Sequence, residues 1–118
     1  LRSEYDRRAT DKEVGVLLVI GRVRCDPEKR EELVALLERM QNDSRLEEGC
    51  LRYGFFAAVE DPHSFIAVEE WADREALDAH FAQEHLREFT GKLLKLISER
   101  PEVAIHEVAG TSPFPDGR

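Results

Sequence analysis

Between Val14 and Cys25 the chain places Val14, Val16, Leu18 and Ile20 on one side of an extended segment and Leu17, Val19 and Val23 on the other. Side chains alternate across a strand, so a strand here is apolar on both faces and needs cover on both. Any fold that accommodates it must bring helices to one side of a sheet and a second apolar surface to the other.

The remainder of the chain says how the first side is covered. Asp26-Pro27-Glu28 is a helix start: an aspartate that can cap, a proline where its missing N–H costs nothing, and an acid favoured by the helix dipole. Leu33, Leu36, Leu37 and Met40 then form one apolar stripe, and Gly49 is a plausible left-handed terminator, which predicts a helix from Pro27 to about Glu47. Cys50 to Val59 reads as a strand with Leu51, Tyr53 and Phe55 on one face, Asp61-Pro62 as a turn, and Ser64 to Trp71 as a third strand. Asp73 can cap a second helix carrying Leu77, His80 and Phe81, continued by Leu86, Phe89, Leu93 and Leu96 with a possible break near Gln83. Pro101 stops it, and Val103 to Val108 supply a fourth strand.

The order β-α-β-β-α-β predicts an α+β, ferredoxin-like antiparallel sheet with both helices on one face. The domain is expected over residues 14–109, with residues 1–13 as a charged arm and residues 110–118 as a flexible tail. The opposite face of the sheet is left bare, and a symmetric homodimer with sheet packed on sheet closes it most simply.

At 118 residues the chain has material for one core, and its net charge of −8 opposes phosphate backbones and anionic lipid surfaces, so neither nucleic acid nor membrane is an expected partner. The longest apolar run, Val14 to Ile20, is far short of a membrane span, and no signal-peptide pattern opens the chain, so a cytoplasmic location is expected. Cys25 and Cys50 have neither metal-knuckle spacing nor the density of a disulfide scaffold. With strands one and two parallel and separated by strand three, the two thiols fall too far apart to bond.

Several words of the sequence then become recognisable: Glu47-Glu48-Gly49-Cys50-Leu51-Arg52-Tyr53, then Phe65, Glu69-Glu70-Trp71, Ala76-Leu77-Asp78-Ala79-His80 and Glu84-His85-Leu86. In this order and spacing they resemble the antibiotic biosynthesis monooxygenase family, with wording closest to its quinol monooxygenase branch. The resemblance implies a dimeric α/β barrel with a pocket between each sheet and its helices. It also implies oxygenation of a quinol or polyphenol without metal, flavin or haem. A phenol that loses its proton can pass an electron to dioxygen, so the protein need supply only a base, a shaped apolar cavity and exclusion of water. The antibiotic-tailoring branch fits less well, because its pocket Asn and Tyr would fall at Ala67 and Leu77. The haem-degrading branch uses an Asn on the first strand, and strand one here has none.

The candidate site residues follow from periodicity and this resemblance together. Trp71 shares its strand face with Phe65, Ala67 and Glu69, which reads either as a pocket wall or as a packed strand-end indole. Glu69, a carboxylate on a core face, is either a proton acceptor or partner of His80, or one half of an ion pair with an arginine such as Arg22. His80 lies on the sheet-facing side of its helix and is the candidate base. Tyr53, Phe65, Leu77, Phe81 and His85 complete the expected substrate contacts. His85 is five residues from His80 and shares a helical face with it only if the helix breaks, so the pair is not expected to bind metal.

The expected function is therefore oxidation of a small quinol-like aromatic by dioxygen, with no cofactor and no metal. Two alternatives stand beside it. One is an isomerase of a polar or phosphorylated metabolite, which needs inward cationic groups; the other is a non-catalytic ligand-binding dimer, which is compatible with a filled pocket.

Overall fold

The computed structural model describes residues 15–115, so the expected arm and the last residues of the tail lie outside the described residues. Four strands form one sheet: β1 (Leu17–Arg24), β2 (Cys50–Ala57), β3 (Ser64–Trp71) and β4 (Glu102–Glu107). The helices are α1 (Arg30–Ser44), α2 (Arg74–Phe81) and α3 (Glu84–Leu93), and Pro27–Lys29 forms a short 3-10 turn ahead of α1.

The strand order is β2-β3-β1-β4, and all neighbouring pairs run antiparallel. This is the ferredoxin-like α+β arrangement. It puts β1 in the sheet's interior, where its doubly apolar sequence belongs. Leu17, Val19 and Val23 are buried toward the helices, while Leu18 and Ile20 are half-buried on the opposite face.

Strand β1 starts at Leu17, three residues later than its apolar pattern suggests; Gly15, with φ at 102°, stands just ahead of it. Helix α1 is shorter than expected at both ends. The proline-led segment is 3-10, with Asp26 accepting from the Glu28 N–H at 3.2 Å, and beyond Ser44 the chain tightens into turns through Leu46 N–H to Asp43 O and Glu47 N–H to Ser44 O. Capping of α2 is as the sequence predicts, with Asp73 Oδ1 accepting from the Ala76 N–H at 2.9 Å. The break near Gln83 is present, and Gln83 becomes the N-terminal boundary residue of α3.

The apolar core has two adjoining parts. One end gathers Val23, Cys25, Leu33, Leu37, Phe65, Leu93 and Leu96. The other gathers Leu17, Val19, Met40, Tyr53, Trp71 and Leu77. Phe55 and Phe89 pack against both and join them. The second part adjoins the buried Glu69 and His80. Both cysteines are free, and the registers separate them: Cys50 pairs with Trp71, level with Leu17, whereas Cys25 follows Arg24 at the far end of β1.

Candidate active site

The alternation of β3 points Phe65, Ala67, Glu69 and Trp71 toward the helices and Ile66, Val68 and Glu70 away. Glu69 therefore enters the core, and Arg22 cannot be its ion-pair partner because Arg22 is exposed on the opposite face, in register with Ile66. The indole N–H of Trp71 donates to Glu69 Oε1 at 3.0 Å. Burial pushes the Glu69 carboxyl up to about 7, with the Trp71 and Tyr53 groups pulling the other way and the Glu47 charge adding to the rise. A carboxyl in that range exchanges its proton near neutrality.

His80 comes down from α2 onto this carboxylate and is 1% exposed. Its ring lies 4.5 Å from the Trp71 ring and 5.6 Å from that of Tyr53, centroid to centroid. Its Nε2 is 3.9 Å from Glu69 Oε1, while its Nδ1 lies 2.9 Å from Glu47 Oε2 and 3.1 Å from Glu47 Oε1. Burial lowers the His80 pKa against the raising effect of Glu47, and His85 lowers it further. In the neutral ring, Nδ1–H donates to Glu47, which leaves the Nε2 lone pair directed toward Glu69 and the aromatic wall. A carboxylate that fixes the tautomer and steadies the imidazolium once it forms is the orienting member of a carboxylate–histidine base.

Glu47 is the member of this cluster that periodicity could not find. It lies in the connection between α1 and β2, where side-chain direction has no sequence period. Gly49 sets that direction: its φ is 84°, and a Cβ placed there would stand 2.4 Å from the Ala76 Cβ. The loop thus lies against α2, and the Ala72 N–H to Gly49 O hydrogen bond of 2.8 Å secures it. The one sequence signal was the position of Glu47 within the Glu-Glu-Gly-Cys word.

His85 joins the same group. On a continuous helix, residues 80 and 85 would diverge, but the break at Gln83 redirects the chain so that His85 Nε2 lies 2.9 Å from Glu47 Oε2. The spacing argument against a shared ligand therefore fails. Glu47, His80 and His85 bring three potential ligand atoms within 4.8 Å of one another.

Not every expected residue assembles here. Tyr53, Leu77 and Trp71 are buried around His80, and burial holds the Tyr53 hydroxyl well above its ordinary range, with Glu69 adding to the rise. Phe65 is six residues from Trp71 on β3, roughly 20 Å along the strand, and belongs to the other part of the core with the Arg30 guanidinium above its ring. Phe81 is 47% exposed and contributes only an edge of the site. Cys50 adjoins the group, yet burial and the charges of Glu47 and Glu69 push its thiol up to about 12, which removes it as a nucleophile.

The space beside His85 is small. A recess of about 20 Å³ lies between α1 and α3, lined in part by Leu36, Arg39, Met40, His85, Phe89 and Lys92. That is room for a water rather than an aromatic ring. Among the described residues the buried polar side chains are Ser44, Glu69 and His80, with no arginine or lysine, and no helix is long and apolar enough to cross a membrane.

Fold and site together define a family. The model described as antibiotic biosynthesis monooxygenase matches residues 16–92. An uncharacterized protein from Synechocystis sp. is 35% identical over 95 residues, covering 80% of this chain and 65% of its own length, so the chain spans just under two thirds of that relative. YcnE from Bacillus subtilis is 31% identical over 87 residues, covering 74% of this chain and 92% of YcnE. A crystal structure described as an antibiotic biosynthesis monooxygenase is similar at a TM-score of 0.72 and 29% identity, covering 84% of this chain and 99% of that one. The chain belongs to the antibiotic biosynthesis monooxygenase family.

Proposed function

We propose that this protein is a monooxygenase that oxidises a small quinol-like aromatic with dioxygen, acting as a homodimer and drawing its base from the protein alone. The observation that carries this reading is the buried line Glu47–His80–Glu69, with a neutral imidazole held by one carboxylate and facing another beneath Tyr53 and Trp71. His80 Nε2 is the acceptor for the phenolic proton, Glu47 stabilises the imidazolium that results, and Glu69 can relay the proton. The deprotonated ring supplies the electrons that reduce dioxygen. One oxygen atom enters the ring, and the other leaves as water once the ring has been oxidised to the quinone level. Family membership supports the class of reaction.

The narrow recess is the one observation that favours the non-catalytic reading. On the oxygenase reading, an aromatic ring enters when α3 moves away from α1. Oxygen uptake by chelator-treated protein against a panel of hydroquinones tests the proposal. Turnover that falls about a hundredfold or more in Glu47→Gln and His80→Ala supports it. No uptake with any quinol, in protein that is still folded, favours the non-catalytic reading.

A further inference from the structure

We propose that Glu47, His80 and His85 form a binding site for a divalent transition-metal ion of the zinc class, through Glu47 Oε2, His80 Nδ1 and His85 Nε2. This goes beyond the oxygenase reading and rests on a separate observation, the convergence of three donor atoms within 4.8 Å from three parts of the chain.

The distances suit an ion. Glu47 Oε2 is 2.9 Å from both His80 Nδ1 and His85 Nε2, and donors bound to a tetrahedral zinc at about 2.0–2.1 Å stand roughly 3.3 Å apart. The two Glu47–histidine separations must open by a few tenths of an ångström, and the two histidine nitrogens, within 4.8 Å of each other, must settle to about the same spacing. Two imidazoles and one carboxylate favour zinc, cobalt, nickel or copper over calcium or magnesium. Three protein ligands leave a fourth position, and the recess beside His85 has room for the water that would fill it.

Two further features agree. His85 Nε2 is buried within 2.9 Å of a carboxylate oxygen, yet it makes no hydrogen bond of acceptable geometry among the described residues. A metal would use the lone pair that the present arrangement leaves without a hydrogen bond. Behind His80, Glu69 Oε1 lies 3.9 Å from Nε2 and is itself held by the Trp71 indole. Metal-binding histidines commonly donate their other N–H to such a carboxylate, which fixes the ring. Binding through Nδ1 therefore exchanges the tautomer: Nε2 takes the proton and faces Glu69, so the metal-loaded chain is not the form in which Nε2 serves as base.

The test uses the full chain, dialysed against a chelator and titrated with zinc chloride by calorimetry and with cobalt(II) by visible spectroscopy. One zinc per chain and the ligand-field bands of low-symmetry cobalt are expected. Glu47→Gln and His85→Ala should weaken zinc binding by at least about a hundredfold, the upper end of what loss of an outer-shell partner costs, while His63→Ala leaves it unchanged. His85 is partly exposed, so its variant stays folded, as circular dichroism would verify. Nitrogen NMR of the His80 ring should show the proton moving from Nδ1 to Nε2 when zinc binds. Failure of the wild-type chain to bind zinc stoichiometrically overturns the proposal, as does zinc binding by both variants as tight as that of the wild-type chain. None of these measurements uses turnover, so the oxygenase reading can fail while the metal site stands, and the reverse.

Discussion

Glu69 is ionised at neutral pH in an unfolded chain and only about half ionised in the folded one, so its environment has a stability signature. With a folded pKa raised to about 7 by burial, the folded state holds the proton more tightly than the unfolded state. The associated stability is fully present below the unfolded value and is lost as pH rises from about 4.5 to about 7. His80 has the opposite sign. Burial lowers its pKa from 6.5, so stability falls as pH drops through the unfolded value and the unfolded imidazole is protonated first. The two groups therefore bias stability in opposite directions as pH changes. Glu69→Gln should remove the alkaline-side loss and stabilise the protein at pH 7 by on the order of 2 kcal/mol, as read by urea melts across pH, while impairing turnover. Gly49→Ala makes a different residue-level test. The new Cβ meets Ala76 at 2.4 Å and occupies a backbone with positive φ, so the cost should be about 2 kcal/mol or more. The added variant Ala76→Gly should recover the steric part but not the backbone part. At this scale the sequence was readable wherever a strand or helix dictated direction: the inward turn of Glu69 and Trp71 and the descent of His80 follow from periods of two and 3.6. Glu47 was not readable, because its aim depends on a glycine loop lying against a helix about thirty residues later.

On the proposed oxygenase reading, helix α3 is the element whose attachment decides access. Within it only Leu93 is buried, whereas α1 buries Leu33, Leu37, Met40 and Ser44. Its amide protons should therefore exchange faster than those of α1, and a quinol or quinone ligand should slow exchange in α3 more than in α1. Hydrogen-exchange mass spectrometry reads both, and equal protection of the two helices would remove the opening motion from the mechanism. The same element shows how far local rules extend. The Asp73 cap and the break near Gln83 are chemically encoded in the sequence, and the break alone brings His85 back to Glu47, whereas α3 ends at Leu93, eight residues before the Pro101 expected to stop it. The misplacement of Phe65 has an equally plain cause. Period two puts it on the same face as Trp71 but says nothing about distance along the strand, and six residues of β3 separate an aromatic of the site from one of the distal core.

The whole molecule has one covered and one open sheet face. On the open side Leu18, Ile20, Ile66 and Val68 form a half-buried apolar surface without a helix, which is why a second copy is the proposed cover. Ile20→Glu should yield monomers by light scattering at micromolar concentration, and an unchanged mass would remove sheet-on-sheet dimerisation. The central position of β1 carries a consequence for how mutations in this protein sort. Along its first residues, successive side chains belong to different equilibria: Leu17 and Val19 to the folding of one chain, Leu18 and Ile20 to the proposed association of two. Truncations along the strand should thus fall alternately into two kinds, in the manner of a two-tooth comb. At odd positions the melting temperature drops by the same amount at every protein concentration. At even positions it drops most in dilute solution and recovers as the protein is concentrated.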